Sequence, residues 1–182
     1  MSAPAKRPVE LLLGGRCELA CSALCDCAND PADPKRIGQA LAAGGSRLTL
    51  RGAAAGHSHL DDYVQRARAG GFGEVVVRTD ALAFQTPEAA AGFRRRGIDG
   101  VIVPLFSHDP RVHDRLTGKP GSLVQALVGL RSFAAAGASV EVEFVLLPGR
   151  FQDLPAMVEL VHRAVPSLKS IRLMPPRGDV PE

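Results

Sequence analysis

Short apolar runs rich in branched side chains recur along the chain, at Val9–Leu13, Leu48–Leu50, Val75–Val77, Val101–Val103, Val140–Leu147 and Ile171–Leu173. Each is bounded by Gly, Pro or charged residues, the pattern of strands buried on both faces. Between them the apolar positions change to a helical period. Leu60, Tyr63, Val64 and Ala67 fall at i, i+3, i+4 and i+7, as do Leu154, Met157, Val158 and Val161. Leu123, Leu127, Leu130 and Phe133 form a third stripe within Ser122–Ala136. A first helix is expected around Ile37–Ala43, closed by Gly44–Gly45, and Gly70–Gly71, Gly97 and Gly137 close others.

Strands that alternate with helices at this spacing build βαβ units and a parallel sheet. Two α/β architectures satisfy the pattern: a doubly wound open sheet and a partial (β/α)6 TIM-like barrel truncated after strand six. Both gather chemistry at the C-terminal ends of the strands. The segment after strand one, the GAAAGHSH stretch after strand two and the RTD that ends strand three should therefore face one mouth. With 182 residues and no shift in composition, the chain reads as a single domain.

Composition narrows the function classes. The apolar fraction of 46% is enough for a real core. No run approaches the ~18 apolar residues of a membrane span. MSAPAKRPVE has no apolar signal core, so a cytoplasmic location is expected. The formal charge is only +3, and the one tight basic run, Arg94–Arg96, reads as a solvated helix end. One Tyr and no Trp leave few stacking platforms for nucleic acid.

All four cysteines, Cys17, Cys21, Cys25 and Cys27, lie within GGRCELACSALCDCAND. A disulfide framework spreads its cysteines over the fold. Thiols bunched in one segment read instead as ligands of a soft metal or an iron–sulfur cluster. A structural zinc site is the competing assignment, although CxxxCxxxCxC is not the paired CxxC knuckle that zinc favours. His57 and His59 follow strand two and could join a mixed Cys/His site, or form a polar loop ahead of the helix at Leu60.

The ordered set of these segments resembles the radical S-adenosylmethionine (SAM) superfamily, over about Val9 to Pro175. GGRCELACSALC is similar to its cysteine loop, and LTLRG leads into the place of its Gly-Gly-Glu motif. VVVRTDAL resembles its third strand, and HDRLTGKPGS its fourth loop. EVEFVLLPGRFQDLPAMVELV resembles strand five with its helix. The resemblance implies a partial (β/α)6 barrel spanning residues 1–182 with a core of about 9–175. It implies a [4Fe-4S] cluster on Cys17, Cys21 and Cys25, with SAM chelating the open iron. Gly52, Ala53 and Ala54 would then meet the SAM amino group, and Thr79 and Asp80 its ribose. Glu143, which shares a strand face with Glu141, would be a contact for the SAM methionine or the substrate if that face lines the barrel, and a surface carboxylate under a helix end if it does not. A peptide or small-molecule substrate, a reductant protein such as flavodoxin or ferredoxin, and a partner covering the open side of the barrel are implied as well.

The chain departs from the family pattern in named places. The third cysteine falls one residue late, since Leu24 holds the usual position; Cys25 reaches the cluster if the loop bulges by one residue, and Cys27 is the substitute. Ala54 stands where the motif has Glu, which removes a charge-assisted hydrogen bond worth about 1.5–3 kcal/mol. Asp80 replaces an Asn and can also cap the turn after its strand. Pro104 stands where many members have Ser. His113 and Asp114 of HDRLTG read as structural, with Asp114 capping the next turn or pairing with Arg115 or Lys119; His108 lies in the same loop. Two further functions stay open: a catalytically degenerate relative serving as scaffold or partner, and a zinc or mixed-metal binding module.

Overall fold

The computed structural model describes residues 7–14, 19 and 33–176. Its elements run β1 (Val9–Leu12), α1 (Pro34–Ala43), β2 (Arg47–Arg51), α2 (Leu60–Ala69), β3 (Glu74–Arg78), α3 (Pro87–Arg95), β4 (Gly100–Leu105), α4 (Pro110–Thr117), α5 (Ser122–Ala135), β5 (Ser139–Val145), α6 (Leu154–Ala164) and β6 (Ser170–Met174). Every strand pair is parallel, and the sheet order follows the chain order from β1 to β6. A doubly wound sheet reverses its strand order at a switch point. No reversal occurs here, so the architecture is the partial α/β barrel.

The helices start where the local chemistry starts them. Asp33 accepts the Lys35 N–H and Pro34 opens α1, which is why that helix begins three residues before Ile37. Thr86 with Pro87, and Asp109 with Pro110, repeat the device at α3 and α4. The sequence pattern gave one helix after strand four; the structure has two. The eight-residue α4 ends on Gly118 at φ 68°, before α5 begins. Its apolar stripe is too short to register as a period.

Strand side chains alternate between two environments. Leu48, Leu50, Val75, Val77, Val101, Val103, Val140, Val142 and Phe144 face the helices and pack with Leu41, Leu60, Leu130, Phe133 and Val161. Phe84, Phe93 and Phe133 stack at centroid distances of 4.7–6.0 Å beneath α3 and α5. The intervening residues, Thr49, Arg51, Val76, Arg78, Ile102, Pro104, Glu141 and Glu143, occupy the concave face. That face is almost entirely buried and unusually charged. None of the described helices is long and apolar enough to cross a membrane.

Candidate functional site at the C-terminal mouth of the barrel

The loop after β2 is shaped by two left-handed residues. Gly52 has φ 70°, and a Cβ there would fall 2.6 Å from Leu12 Cδ1. Ala53 follows at φ 42°, a conformation that costs an L-residue about 1–2 kcal/mol. A single 3-10 turn, Ala54–Gly56, continues from it, with Gly56 N–H donating to Ala53 O and His57 N–H to Ala54 O. Ala54 is fully buried. The turn holds no carboxylate, but its backbone keeps the sharp exit that two glycines would make without strain.

The loop after β3 caps itself. Thr79 N–H donates to Ile102 O, and Thr79 Oγ1 accepts from Ala81 N–H at 3.2 Å. Asp80 Oδ1 accepts from Leu82 N–H at 3.0 Å, the turn-capping role that its residue type allows. Ala81 is left-handed at φ 63°, and Gly129 of α5 lies against it.

Below these loops the concave face carries two layers of charge. In the upper layer Glu143, 1% exposed, accepts from Arg78 Nε at 2.6 Å, and Arg51 Nη1 stands 3.5 Å from Glu143 Oε1. Arg51 Nη1 also donates to Glu10 at 3.2 Å. Glu143 Oε1 is buried and accepts no hydrogen bond. In the lower layer Glu141 accepts from Arg172 Nη2 at 2.9 Å and from Ser170 Oγ at 3.1 Å. Arg47 Nη2 lies 2.5 Å from Glu141 Oε1, a close charge contact without hydrogen-bond alignment. Burial pushes the Glu141 carboxyl upward, but Arg47 and Arg172 outweigh it and hold the pKa below its usual value. Arg47, Arg51 and Arg78 are absent from the sequence reading. Their signal was available, because Arg47, Thr49 and Arg51 alternate on one strand face just as Glu141 and Glu143 do on another.

His57 and His59 form a loop cluster with Tyr63 ahead of α2. His59 N–H donates to His57 Nδ1 at 3.1 Å, and the two rings lie 5.8 Å apart with Tyr63 beside both. Among the described residues no group of three or more His, Cys, Asp or Glu is placed to hold a metal. Cys17, Cys21, Cys25 and Cys27 lie outside the described residues. Leu19, between the first two of them, is described: it packs against Phe106, Val145 and Leu147 at the ends of β4 and β5.

His113 is 2% exposed and takes a structural place. Its Nδ1 meets Ser122 Oγ at 3.1 Å, and Ser122 donates to Asp114 Oδ1 at 2.9 Å. Asp114 also accepts from Gly121 N–H and Leu123 N–H, so it caps α5. Burial lowers the His113 pKa to about 4 despite the opposing pull of Asp114. His108 lies half-buried in the loop before α4.

No family model matches the chain, and no curated protein matches it by sequence. Solved structures do match it. SuiB from Streptococcus suis, in a crystal structure bound to S-adenosylmethionine, is 12% identical and has a TM-score of 0.66. The match covers 96% of this chain and 40% of SuiB. The structure of anSMEcpe with bound AdoMet and a Kp18Cys peptide is 10% identical with a TM-score of 0.68, over 96% of this chain and 53% of that one. HemN, the coproporphyrinogen III oxidase from Escherichia coli described as a radical SAM enzyme, is 13% identical with a TM-score of 0.57, over 93% and 45%. The chain thus spans roughly half or less of these proteins' lengths. At such identities the likeness is one of fold.

Proposed function

We propose that this chain is a radical SAM core domain. In this reading it binds a [4Fe-4S] cluster and SAM at the C-terminal mouth of its barrel and acts on a peptide or small molecule. The observation that carries the reading is the barrel itself: six parallel strands in chain order, matching over nearly its whole length proteins solved with SAM bound. The cysteine segment follows β1, as the reading requires, and Leu19 within it packs at the barrel mouth.

The donor chemistry fits both groups. Thiolates are the ordinary ligands of such a cluster, and Cys17, Cys21 and Cys25 would hold it. SAM carries an ammonium, a carboxylate and a ribose. The concave face supplies charge of both signs, and a buried carboxylate oxygen, Glu143 Oε1, has no hydrogen-bond donor. Gly52, Ala53 and Ala54 would border the ligand on one side, and Thr79 and Asp80 on another. When bound, the two groups supply reductive cleavage of SAM to methionine and a 5′-deoxyadenosyl radical, which takes hydrogen from the substrate. The chain's own part is to orient the ligand and keep the chamber dry. The charged lower layer, Arg47–Glu141–Arg172, fills the floor, so access is from the mouth.

A reductant protein such as flavodoxin or ferredoxin would supply the electron, and a cytoplasmic location would keep the thiols reduced. A partner protein or further polypeptide would cover the open side of the barrel. The absence of a carboxylate at Ala54 favours one second reading, a degenerate relative that keeps the barrel as scaffold or partner and does not cleave SAM.

Anaerobic reconstitution with iron and sulfide, followed by metal analysis and electron paramagnetic resonance of the reduced protein, separates these readings. About four irons and four sulfides per chain, with a spectrum altered by SAM, is the expected result. Cys17→Ala and Cys21→Ala should each abolish the cluster, while Cys27→Ala should leave it. A cluster indifferent to SAM supports the scaffold. Zinc without a cluster overturns both and leaves the metal-binding module.

A further inference from the structure

The polar network around His113 has a direction. Ser122 Oγ donates to Asp114 Oδ1 at 2.9 Å, and an ionised carboxylate can only accept. The Ser122 hydrogen is thereby committed, so Ser122 accepts from His113, whose Nδ1 stands 3.1 Å away. The proton of the neutral imidazole therefore sits on Nδ1. Turning the ring over would bring a carbon to Ser122 and lose the contact, so α5 fixes the ring plane. Nε2 is buried and has no hydrogen-bond partner among the described residues. The ring is thus held by polar contacts on one side only, and its neighbour beyond them is Phe106, with ring centroids 5.5 Å apart.

Phe106 directly follows β4 and is 3% exposed. With Val145 and Leu147 from the end of β5 it forms the apolar seat of Leu19. Leu116, three residues along α4 from His113, packs on the same cluster. Leu19 is buried and lies two residues from Cys17 and two from Cys21. A continuous path of contacts therefore runs from Asp114 through Ser122, His113 and Phe106 to Leu19. An apolar side chain at position 113 would also fill the space beside Phe106. A histidine tied to Ser122 adds a fixed ring plane, because a satisfied buried network rigidifies what it holds. Ligand sets need such support, since a loop left to itself does not keep its donors in register.

We propose that His113 is a positioning residue for the cysteine segment: tied to Asp114 through Ser122, it holds the Phe106 ring, and Phe106 seats Leu19 between Cys17 and Cys21. This rests on the reading of those cysteines as cluster ligands and adds a residue that acts on them only through Leu19. Supports of this kind, one layer behind the ligands, change metal affinity about ten- to a hundredfold when removed.

The test uses the full chain in two states. In the metal-free chain, methyl NMR relaxation of leucine-labelled protein reads the mobility of Leu19 directly, with its signals assigned by Leu19→Ala. His113→Asn keeps an N–H for Ser122 but loses the ring, and Ser122→Ala cuts the tie to Asp114 while leaving His113 and Phe106 in place. Ile98→Ala is the control, a buried core residue outside the seat of Leu19. His113→Asn and Ser122→Ala should both mobilise the Leu19 methyls, and Ile98→Ala should leave them as in wild type. In the reconstituted chain, iron release to a chelator should be about ten- to a hundredfold faster in His113→Asn than in wild type, faster also in Ser122→Ala, and unchanged in Ile98→Ala. A merely structural His113 would instead make all three variants behave alike. Leu19 methyls as rigid in His113→Asn as in wild type overturn the proposal. If His113→Asn does not fold, Ser122→Ala decides, and wild-type mobility with wild-type iron release there overturns it. A wild-type cluster that loses iron equally fast in every variant sinks the proposal alone. If wild type takes up no cluster, the reading of the cysteines falls, and this proposal with it.

Discussion

His113 shows how one buried side chain sets a pH window. Its pKa is lowered to about 4 in the folded protein, from an ordinary 6.5, because burial disfavours the imidazolium. Between those values the unfolded chain binds the proton and the folded chain does not, so stability rises with pH across the window and is lost as pH falls from about 6.5 to about 4. The full effect is on the order of 3 kcal/mol. Asp114 and Glu141 are both held below their usual carboxylate values, so the stability they contribute is lost as pH falls past those usual values, from the acid edge of that window downward. Urea unfolding at pH 7 and pH 4.5 should therefore show a steep loss for wild type. His113→Gln should be less stable at pH 7, through the disturbed Ser122 contact, but should lose much less between the two pH values. An equal loss in both proteins would show that another group sets the window.

At the scale of the element, α5 controls the loop after β3 through one missing side chain. A Cβ on Gly129 would lie 2.3 Å from Ala81 O and 2.8 Å from Ala81 Cβ, far inside van der Waals contact. Ala81 is already left-handed and follows directly on Asp80, so the loop cannot yield without moving its own turn. Gly129→Ala gains up to about 1 kcal/mol of helix propensity but should lose about 1–3 kcal/mol to overpacking. A net destabilisation is expected in urea unfolding, with weakened binding of any ligand that contacts Asp80. A stabilised variant would mean that α5 slides freely over the loop. Nothing in the sequence marks this contact, because Gly129 sits mid-helix in a stripe of Leu127 and Leu130 that reads as uninterrupted helix. The strands were legible because apolar runs such as Val75–Val77 are bounded by turn residues. The short α4 was not, because eight residues give barely two turns of pattern. The mouth was legible as three loops at strand ends. Its charged floor was missed because each arginine, read alone on its strand, looks like a solvated end, and only the closing of the sheet brings Arg47 and Arg51 opposite Glu141 and Glu143.

The whole molecule is an open barrel whose distant strands are tied across the concave face rather than around it. Glu141, 2% exposed on β5, reaches Arg172 on the neighbouring β6 and Arg47 on β2, so one carboxylate ties β2 to β5 and β6, with which it shares no hydrogen bonds. Such a tie resists flattening of the sheet, and its removal strands charge in a low-dielectric interior. Breaking a buried pair costs about 3–5 kcal/mol when both partners are dry. Arg172 is a third exposed, which screens part of the effect and brings the expected cost of Glu141→Gln to about 2–4 kcal/mol. The triple replacement Arg47→Met, Glu141→Met, Arg172→Met leaves no unpaired charge and should recover most of that loss. It should also remove the stability that wild type sheds through Glu141 as pH falls below about 4.5. Urea midpoints of the three proteins at pH 7 and pH 4 decide it. If Glu141→Gln is within about 0.5 kcal/mol of wild type, as for a surface substitution, the cross-barrel tie carries no load and the curvature of the sheet is set by the helix-side packing alone. If the single variant is costly and the triple is not, the two charged layers are a substitute for apolar filling. The lower layer then fixes the curvature of the concave face independently of the upper layer around Glu143.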